Sequence, residues 1–184
     1  ANRLVAPGPA EDELGAPKTI CICHDIEAGI GHLDTDPVFA ARAEESADRY
    51  LDAMLDAERA AGVKATYAVV GQMMPQVRAR IASDGHCLAF HSFDHRSGGD
   101  QLPRCRDLDY RLKGYRTPQS VITPELTDEN LCFHNFEWLA NSAWSFGFGQ
   151  PRLENRIVKI PIEFDDFAMY HDGVSYDAWE ADAL

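Results

Sequence analysis

A chain of 184 residues is long enough to bury about 70% of its unfolded surface in one domain. Hydrophobic residues make up 45% of it and charged residues 26%, and no apolar run approaches the ~18 residues that span a bilayer. The formal net charge of −13 argues against a nucleic-acid backbone as partner, because repulsion opposes every phosphate contact. We therefore expect a globular protein without a membrane partner, whose charge is compatible with neutral or cationic substrates.

The five cysteines contain no C-x-x-C pair. Their odd number and their spacing argue against a disulfide framework and against a thiolate zinc site. Cys21 and Cys23 alternate along an expected strand, which predicts small buried side chains. No charged-then-apolar signal peptide opens the sequence, although a segment removed before Ala1 is compatible with this start. The cysteine usage predicts a reducing, cytoplasmic setting.

The first half of the chain predicts strands alternating with helices. Residues 1–17 contain three prolines and two glycines without periodicity, which indicates a loop-like extension before a single domain over residues 18–184. Apolar periodicity then predicts strands at 19–24, 63–70 and 86–91 and helices at 38–61 and 74–83. This order is typical of parallel strands joined by crossover helices.

The second half has a weaker pattern, because its apolar runs are shorter. It predicts helices at 101–113 and 128–141 and strands at 114–118, 144–148 and 157–164. Four aromatic residues in this half are expected in the core rather than as a platform for sugars; they are Phe133, Phe136, Trp138 and Trp144.

The most distinctive segment is H-S-F-D-H at residues 91–95. If the backbone makes one helical turn, His91 and His95 share a face, and an acid from elsewhere completes a divalent metal site. The apolar residues before this segment predict a buried strand, so the histidines follow a strand end, where catalytic groups lie in barrels of parallel strands. The alternative is that both histidines are ordinary core or surface residues.

The end of the first strand carries a second polar segment, H-D-I-E at residues 24–27. Period-two alternation puts Asp25 and Glu27 on the inward face and His24 on the other face. A bulge at the strand end would re-aim these side chains. A further alternative is that both acids only cap the following loop.

These two segments, together with R-T-P at residues 116–118, resemble the polysaccharide deacetylase family, which is also called the NodB-homology family. The run G-H-C-L-A-F-H-S-F-D-H at 85–95 resembles the second family motif almost residue for residue, and the element order extends the resemblance over 19–164. The resemblance implies an α/β fold, an irregular barrel of mostly parallel strands with crossover helices. It also implies a metal-dependent hydrolase of a non-peptide C–N amide bond, with deacetylation of an N-acetylated sugar or glycoconjugate as the leading expectation.

The resemblance implies a role for each site residue. His91 and His95 match the family's metal-binding histidines, and Asp25 and Glu27 match a spaced version of its acid pair, with Asp25 as base and Glu27 as ligand. The two acids compete for the ligand role, and the alternative makes His24 the base and Asp25 the ligand. Arg116 would orient the base through a bidentate contact. The family has an aromatic residue after the proline of this motif, where this chain has glutamine.

The family's general acid is a histidine at the end of a late strand, and His171 is the candidate for it here. The alternative is that the chain stops before that motif, so that the domain is incomplete at its C-terminus. The short span from His95 to Arg116 also leaves room for residues missing after Asp100. Structural roles are expected for the remaining histidines, namely His32, His86 and His134.

The cofactor implied is one divalent metal, zinc first, with cobalt, nickel or iron as alternatives, because nitrogen and oxygen ligands suit them all. The partner implied is a carbohydrate or another small molecule. Two other functions stay open at this point. One is hydrolysis of a small cyclic amide, as in the allantoinase-like members of the same family. The other is a catalytically silent module that binds metal or sugar.

Overall fold

Seven strands form one curled, mostly parallel sheet in the order β1-β2-β3-β4-β5-β7-β6. The computed structural model describes residues 21–165 together with residues 173, 175, 177 and 178. Neighbouring strands are parallel from β1 through β5 to β7, while β6 pairs antiparallel with β7. The strands are β1 Cys23–Ile26, β2 Thr66–Val69, β3 Cys87–Phe90, β4 Gly114–Arg116, β5 Trp138–Ser142, β6 Arg152–Glu154 and β7 Ile157–Ile162.

Helices connect the successive strands from β1 to β6, and a short turn joins β6 to β7. The first three strands are adjacent and parallel, with a long helix between the first two, and this confirms the α/β fold expected from the sequence. None of the described helices is apolar enough over its length to cross a membrane. The helices are α1 Pro37–Ala61, α2 Met74–Ser83, α3 Gln101–Leu108, α4 Asp128–Phe133 and α5 Ala143–Phe146.

The longest helix, α1, begins and ends at residues whose chemistry fixes its limits. The Asp36 side chain accepts hydrogen bonds from the amides of Val38 and Phe39 at 3.1 and 2.9 Å, and Pro37 occupies the first turn. Gly62 ends the helix in the left-handed conformation, with φ of 68°. The expected start and end of this helix are therefore confirmed.

The apolar core lies where the helices pack against the sheet. Side chains from α1 and α2 meet the helix-facing side of the central strands, and burying each large one stabilises the fold by about 1.5–3 kcal/mol. The buried side chains of α1, α2 and the strands beneath them include Leu51, Leu55, Tyr67, Val69, Met74, Ile81 and Phe90.

One carboxylate interrupts this apolar layer. Glu58 of α1 is 9% exposed; it accepts a hydrogen bond from the Tyr67 hydroxyl at 2.5 Å and lies 2.8 Å from Nε2 of His24. Burial alone would raise the pKa of Glu58, but the hydrogen bonds from Tyr67 and His24 outweigh it and lower this pKa. The cluster thus holds a charged carboxylate between α1 and the sheet.

We expect Glu58→Ala to lower the free energy of unfolding by about 3 kcal/mol at neutral pH, because it leaves the buried Tyr67 hydroxyl and His24 without their partner. A carboxyl group whose pKa is lowered by folding stabilises the protein above its unfolded pKa and loses that contribution as the pH falls. The deficit of the variant should therefore shrink below the ordinary pKa of 4.5. Urea unfolding across pH measures it, with the exposed Glu45→Ala of the same helix as control. Equal stability of both variants at pH 7 contradicts this role.

The second half differs from the sequence-based expectation. The helix expected over 128–141 ends at Phe133, because Asn135 adopts a left-handed conformation with φ of 68°, and β5 follows. The strand expected over 144–148 is wrong: α5 begins there, since Ser142 accepts a hydrogen bond from the amide of Ser145. The helix expected over 101–113 ends at Leu108. The three-residue β6 was too short to leave a periodic signal in the sequence.

Two of the expected core aromatics are not in the core. Phe136 is buried and Trp138 packs against Gly114, where a Cβ atom would overlap the indole ring. Trp144 is 92% exposed and Phe133 is 72% exposed, because they lie on the outer sides of two short helices. Cys21 is also exposed rather than buried, since it precedes the first residue of β1.

Candidate metal centre and acid pair

The polar residues of interest lie at the C-terminal ends of β1, β3 and β4. Glu27 follows the last residue of β1, His91 follows the last residue of β3, and Arg116 is the last residue of β4. Because β1, β3 and β4 run parallel in one sheet, their C-terminal ends lie at the same edge. This edge is where open α/β sheets bind ligands.

The first strand separates its polar side chains between two faces. Asp25 and Glu27 approach His91, while His24 lies on the helix-facing side against Glu58 and Tyr67. The pairing of β1 with β2 runs residue by residue over the whole strand, so no bulge re-aims these side chains. The His24 imidazole, the alternative candidate for the base, therefore lies on the side of the sheet opposite Asp25 and Glu27.

The segment that carries the two histidines is a turn and not the helical turn expected. Ser92 and His95 are left-handed, with φ of 59° and 63°, and a helix cannot contain such residues. The turn still brings the imidazoles together, with ring centroids 5.1 Å apart. The spacing of four residues thus predicted that His91 and His95 lie close together, but not the backbone conformation that brings them together.

Helix α3 holds this turn in place. The Gln101 side-chain oxygen accepts hydrogen bonds from the amides of Phe93 and Asp94 at 2.9 and 3.2 Å, and Gln101 is buried. Arg104 pairs with Asp94 at 2.6 Å, and its guanidinium group lies 4.0 Å above the centre of the Phe93 ring. These contacts fix the middle of the turn, and with it the two histidines at its ends.

Three side chains converge at the centre of the edge. Oε2 of Glu27 lies 2.7 Å from Nε2 of His95 and 3.4 Å from Nε2 of His91. Nδ1 of His91 donates a hydrogen bond to the carbonyl oxygen of Arg116 at 3.0 Å. Since a carbonyl can only accept, Nδ1 of His91 carries a proton, and its Nε2 is the ring nitrogen that faces Glu27.

This donor set fits a divalent metal. The ligand atoms of Glu27, His91 and His95 lie within 4.8 Å of one another, and among the described residues no other group of three His, Cys, Asp or Glu side chains does. Two imidazole nitrogens and one carboxylate oxygen are a ligand set of catalytic zinc, which keeps a further position open. The hydrogen bond from Nδ1 of His91 to the Arg116 carbonyl oxygen adds to the fit, because ligating imidazoles commonly donate their other N–H to a backbone carbonyl.

The electrostatics keep the Glu27 carboxylate charged. Burial alone would raise the pKa of Glu27, but hydrogen bonds from His91 and His95 outweigh it and hold this pKa well below its usual range. Cys23 lies on the same face, and burial raises the pKa of its thiol to about 12. Its sulfur is therefore a protonated thiol at neutral pH.

Asp25 lies beside the three donors. Its Oδ1 is 3.7 Å from Nδ1 of His91, and its Oδ2 is 3.6 Å from Nη2 of Arg116. One third of the Asp25 side chain is exposed, so it is open to water from the edge of the sheet. A carboxylate in this position is suited to accept a proton from a molecule bound at the three donors.

Arg116 contacts Asp25 through one nitrogen, and the bidentate contact expected from the sequence is wrong. Its Nη1 donates instead to the carbonyl oxygen of Thr117 and to the hydroxyl oxygen of Ser120, each at 2.9 Å. The backbone explains this difference, because Gln119 and Ser120 are both left-handed and fold the chain back over the guanidinium group. The Gln119 side chain, which stands where the family has an aromatic residue, is exposed.

No protein-family model and no curated protein matches the sequence. Solved structures do match. A candidate polysaccharide deacetylase from Mycobacterium smegmatis superposes with a TM-score of 0.70 and 21% identity, over 89% of this chain and 70% of that protein. The chain has the polysaccharide deacetylase fold. The Puue allantoinase shares this fold more distantly, with a TM-score of 0.57 and 12% identity over 81% of this chain and 63% of its own length.

The deacetylase fold brings most of the predicted site residues to one edge and leaves others away from it. His24 belongs to the Glu58 cluster on the other face of the sheet. His171 and the expected extension at 1–17 lie outside the described residues. The residues that meet at the edge are Asp25, Glu27, His91, His95 and Arg116.

Sequence reasoning missed one residue at this edge of the deacetylase fold. His32 was expected in a structural role, yet its Nε2 lies 3.6 Å from Oε1 of Glu27. Gly31 was a usable signal, because a Cβ atom at this position would overlap the Glu27 carboxylate. A glycine in a loop close after an acidic residue is compatible with a side chain that packs directly against the backbone there.

Proposed function

We propose that the protein is a metal-dependent hydrolase of a non-peptide C–N amide bond, and that it removes the acetyl group from an N-acetylated sugar or glycoconjugate. The observation that carries the proposal is the convergence of Glu27, His91 and His95, with Asp25 beside them, at the open edge of a parallel sheet. Zinc is the first candidate for the metal, and cobalt, nickel or iron are the others.

The chain's own residues divide the work of such a reaction. A bound divalent ion supplies Lewis acidity and lowers the pKa of water. Glu27, His91 and His95 would hold it, and Asp25 would accept the proton of the attacking water. Arg116 would keep the Asp25 carboxylate turned toward this position through its contact at 3.6 Å.

The leaving amine needs a proton, and the donor stays a prediction. His171 is the candidate that the family resemblance gives, and the single domain over 18–184 would supply it. The cytoplasmic setting expected from the cysteines also stays a prediction.

A carbohydrate substrate is supported by an exposed aromatic side chain at the edge. Trp144 lies just after the C-terminal end of β5 and exposes its indole ring. The hydroxyl group of Ser145 donates to the carbonyl oxygen of Ser120, which connects α5 to the turn around Arg116. An exposed indole at this edge of the sheet is suited to stack on the apolar face of a sugar ring.

Hydrolysis of a small cyclic amide is the second candidate. The spaced acid pair favours it, since the notable departure from the usual Asp-Asp pair is Asp25-Ile26-Glu27. The fold shared with the Puue allantoinase is compatible with it. The third candidate is a module that binds metal or sugar without turnover.

One assay separates the three candidates. The zinc-loaded protein is incubated with N-acetylglucosamine oligomers and, in a parallel reaction, with allantoin. The first reaction is followed by the release of acetate, and the second by the formation of the ring-opened product. We expect acetate release that stops with a chelator and returns with zinc. Turnover of allantoin alone supports the cyclic-amide reading, and zinc binding without turnover of either substrate contradicts the enzyme proposal.

A further inference from the structure

The turn that follows β1 wraps around the Glu27 side chain. The amide of Ile30 donates to the carbonyl oxygen of Glu27 at 2.9 Å, and residues Ile30–His32 form one 3-10 turn. Gly31 lies directly against the carboxylate, and only a residue without a Cβ atom leaves room for it. The chain therefore folds back over its own acidic side chain.

The two oxygens of Glu27 face different partners. Oε2 faces the imidazoles of His91 and His95, whereas Oε1 faces Nε2 of His32 at 3.6 Å. At this distance a small rotation of either side chain forms a hydrogen bond. His32 thus approaches the carboxylate from the side opposite to the two other histidines.

The position of His32 is fixed from the helix side. The edge of its ring contacts Phe39 of α1, with ring centroids 4.6 Å apart. The amide of Gly29 donates to the side chain of Glu44, also on α1, at 3.2 Å. These contacts hold the turn on the first helix, so His32 meets Glu27 in a defined orientation.

A carboxylate ligand with a free second oxygen can rotate and bind an ion through both oxygens. A donor on that second oxygen prevents this rotation and keeps the first one aimed at the ion. His32 is not itself among the three converging donors, because it lies on the outer oxygen. The position of His32 therefore suits a residue that orients the Glu27 carboxylate and does not itself bind the ion.

We propose that His32 is a positioning residue of the metal centre, which donates from Nε2 to Oε1 of Glu27 and keeps Glu27 a ligand through Oε2 alone. This inference rests on the metal centre of the proposed function. It adds a residue that orients the ligand and does not contact the substrate.

Two substitutions at one position test the donor. His32→Phe keeps a ring against Phe39 but removes the N–H group, whereas His32→Gln keeps a donor on a flexible chain. We expect zinc affinity, measured by competition with a chromogenic chelator, to fall about 10–100-fold in His32→Phe. His32→Gln should recover most of the lost affinity. The matched control is His134→Phe at the end of α4, with unchanged affinity.

The visible spectrum of the cobalt-loaded protein gives a second readout. A carboxylate that binds through both oxygens raises the coordination number and weakens the absorption bands of cobalt. We expect weaker bands in His32→Phe and a spectrum like the wild type in His32→Gln. Wild-type affinity and spectrum in His32→Phe contradict the proposal.

The outcomes also separate this inference from the proposed function. If the wild-type chain binds no zinc, the metal centre itself is wrong. If His91→Ala loses zinc while His32→Phe keeps full affinity, only the role of His32 is wrong. If His32→Phe and His32→Gln both lose zinc as completely as His91→Ala, His32 is a direct ligand and the positioning role is overturned.

Discussion

Replacing Asp25 by Asn is expected to lower the rate of hydrolysis by about 10²–10⁴-fold while zinc stays bound. The amide keeps the shape of the side chain and its contact with Arg116, but it cannot accept a proton from water. Glu27→Gln should fail differently, because it replaces a charged ligand by a neutral one and therefore mainly lowers zinc affinity. Zinc content after dialysis and the rate at saturating zinc distinguish the two losses.

The exposed Asp34→Asn, in the loop after the site, is the matched control and should keep both zinc and rate. The assignment is reversed if Asp25→Asn loses the metal while Glu27→Gln keeps metal and rate. In that case Asp25 is the ligand. Even then we do not expect His24 to be the base, because its imidazole contacts Glu58 on the side of the sheet that faces α1.

Replacing His91 or His95 by Ala is expected to abolish stoichiometric zinc after dialysis. Each substitution removes one of three donors, and the remaining pair holds zinc too weakly to survive exchange. His91→Ala also removes the hydrogen bond to the Arg116 carbonyl oxygen, so its effect should be at least as large as that of His95→Ala.

Metal analysis of the dialysed proteins measures this effect, with His134→Ala as the control that should retain one zinc per chain. Circular dichroism of each variant checks that the fold is intact. Full retention of zinc in both single variants contradicts a metal centre at this edge.

The first half of the fold could be predicted from the sequence because its signals are local and strong. Asp36, Pro37 and Gly62 fix the limits of α1 through capping, which needs no tertiary contact. Alternation along β1 predicted that Asp25 and Glu27 face one way and His24 the other, and the regular pairing with β2 maintains this. Short-range rules therefore predicted the limits of α1 and the directions of the side chains at the end of β1.

The remaining features depend on contacts that the sequence does not reveal. The turn of His91 and His95 is held by its contacts with Gln101 and Arg104 of α3. These residues are near in the sequence, but no local pattern predicts that they contact the turn. The single contact of Arg116 follows from two left-handed residues in the next turn. Short elements such as α5 and β6 carry too few residues for periodicity to separate helix from strand.

The two left-handed residues of the histidine turn, Ser92 and His95, would link metal binding at the proposed centre to folding. Each such residue costs about 1–2 kcal/mol, so the metal-free protein carries a local conformational penalty at its own site. An ion that binds only the folded state adds about 2.7 kcal/mol of stability at a hundred times its dissociation constant. The same cation that the proposed chemistry uses would then offset the penalty of the turn that holds it, and the folded population would rise with free metal concentration.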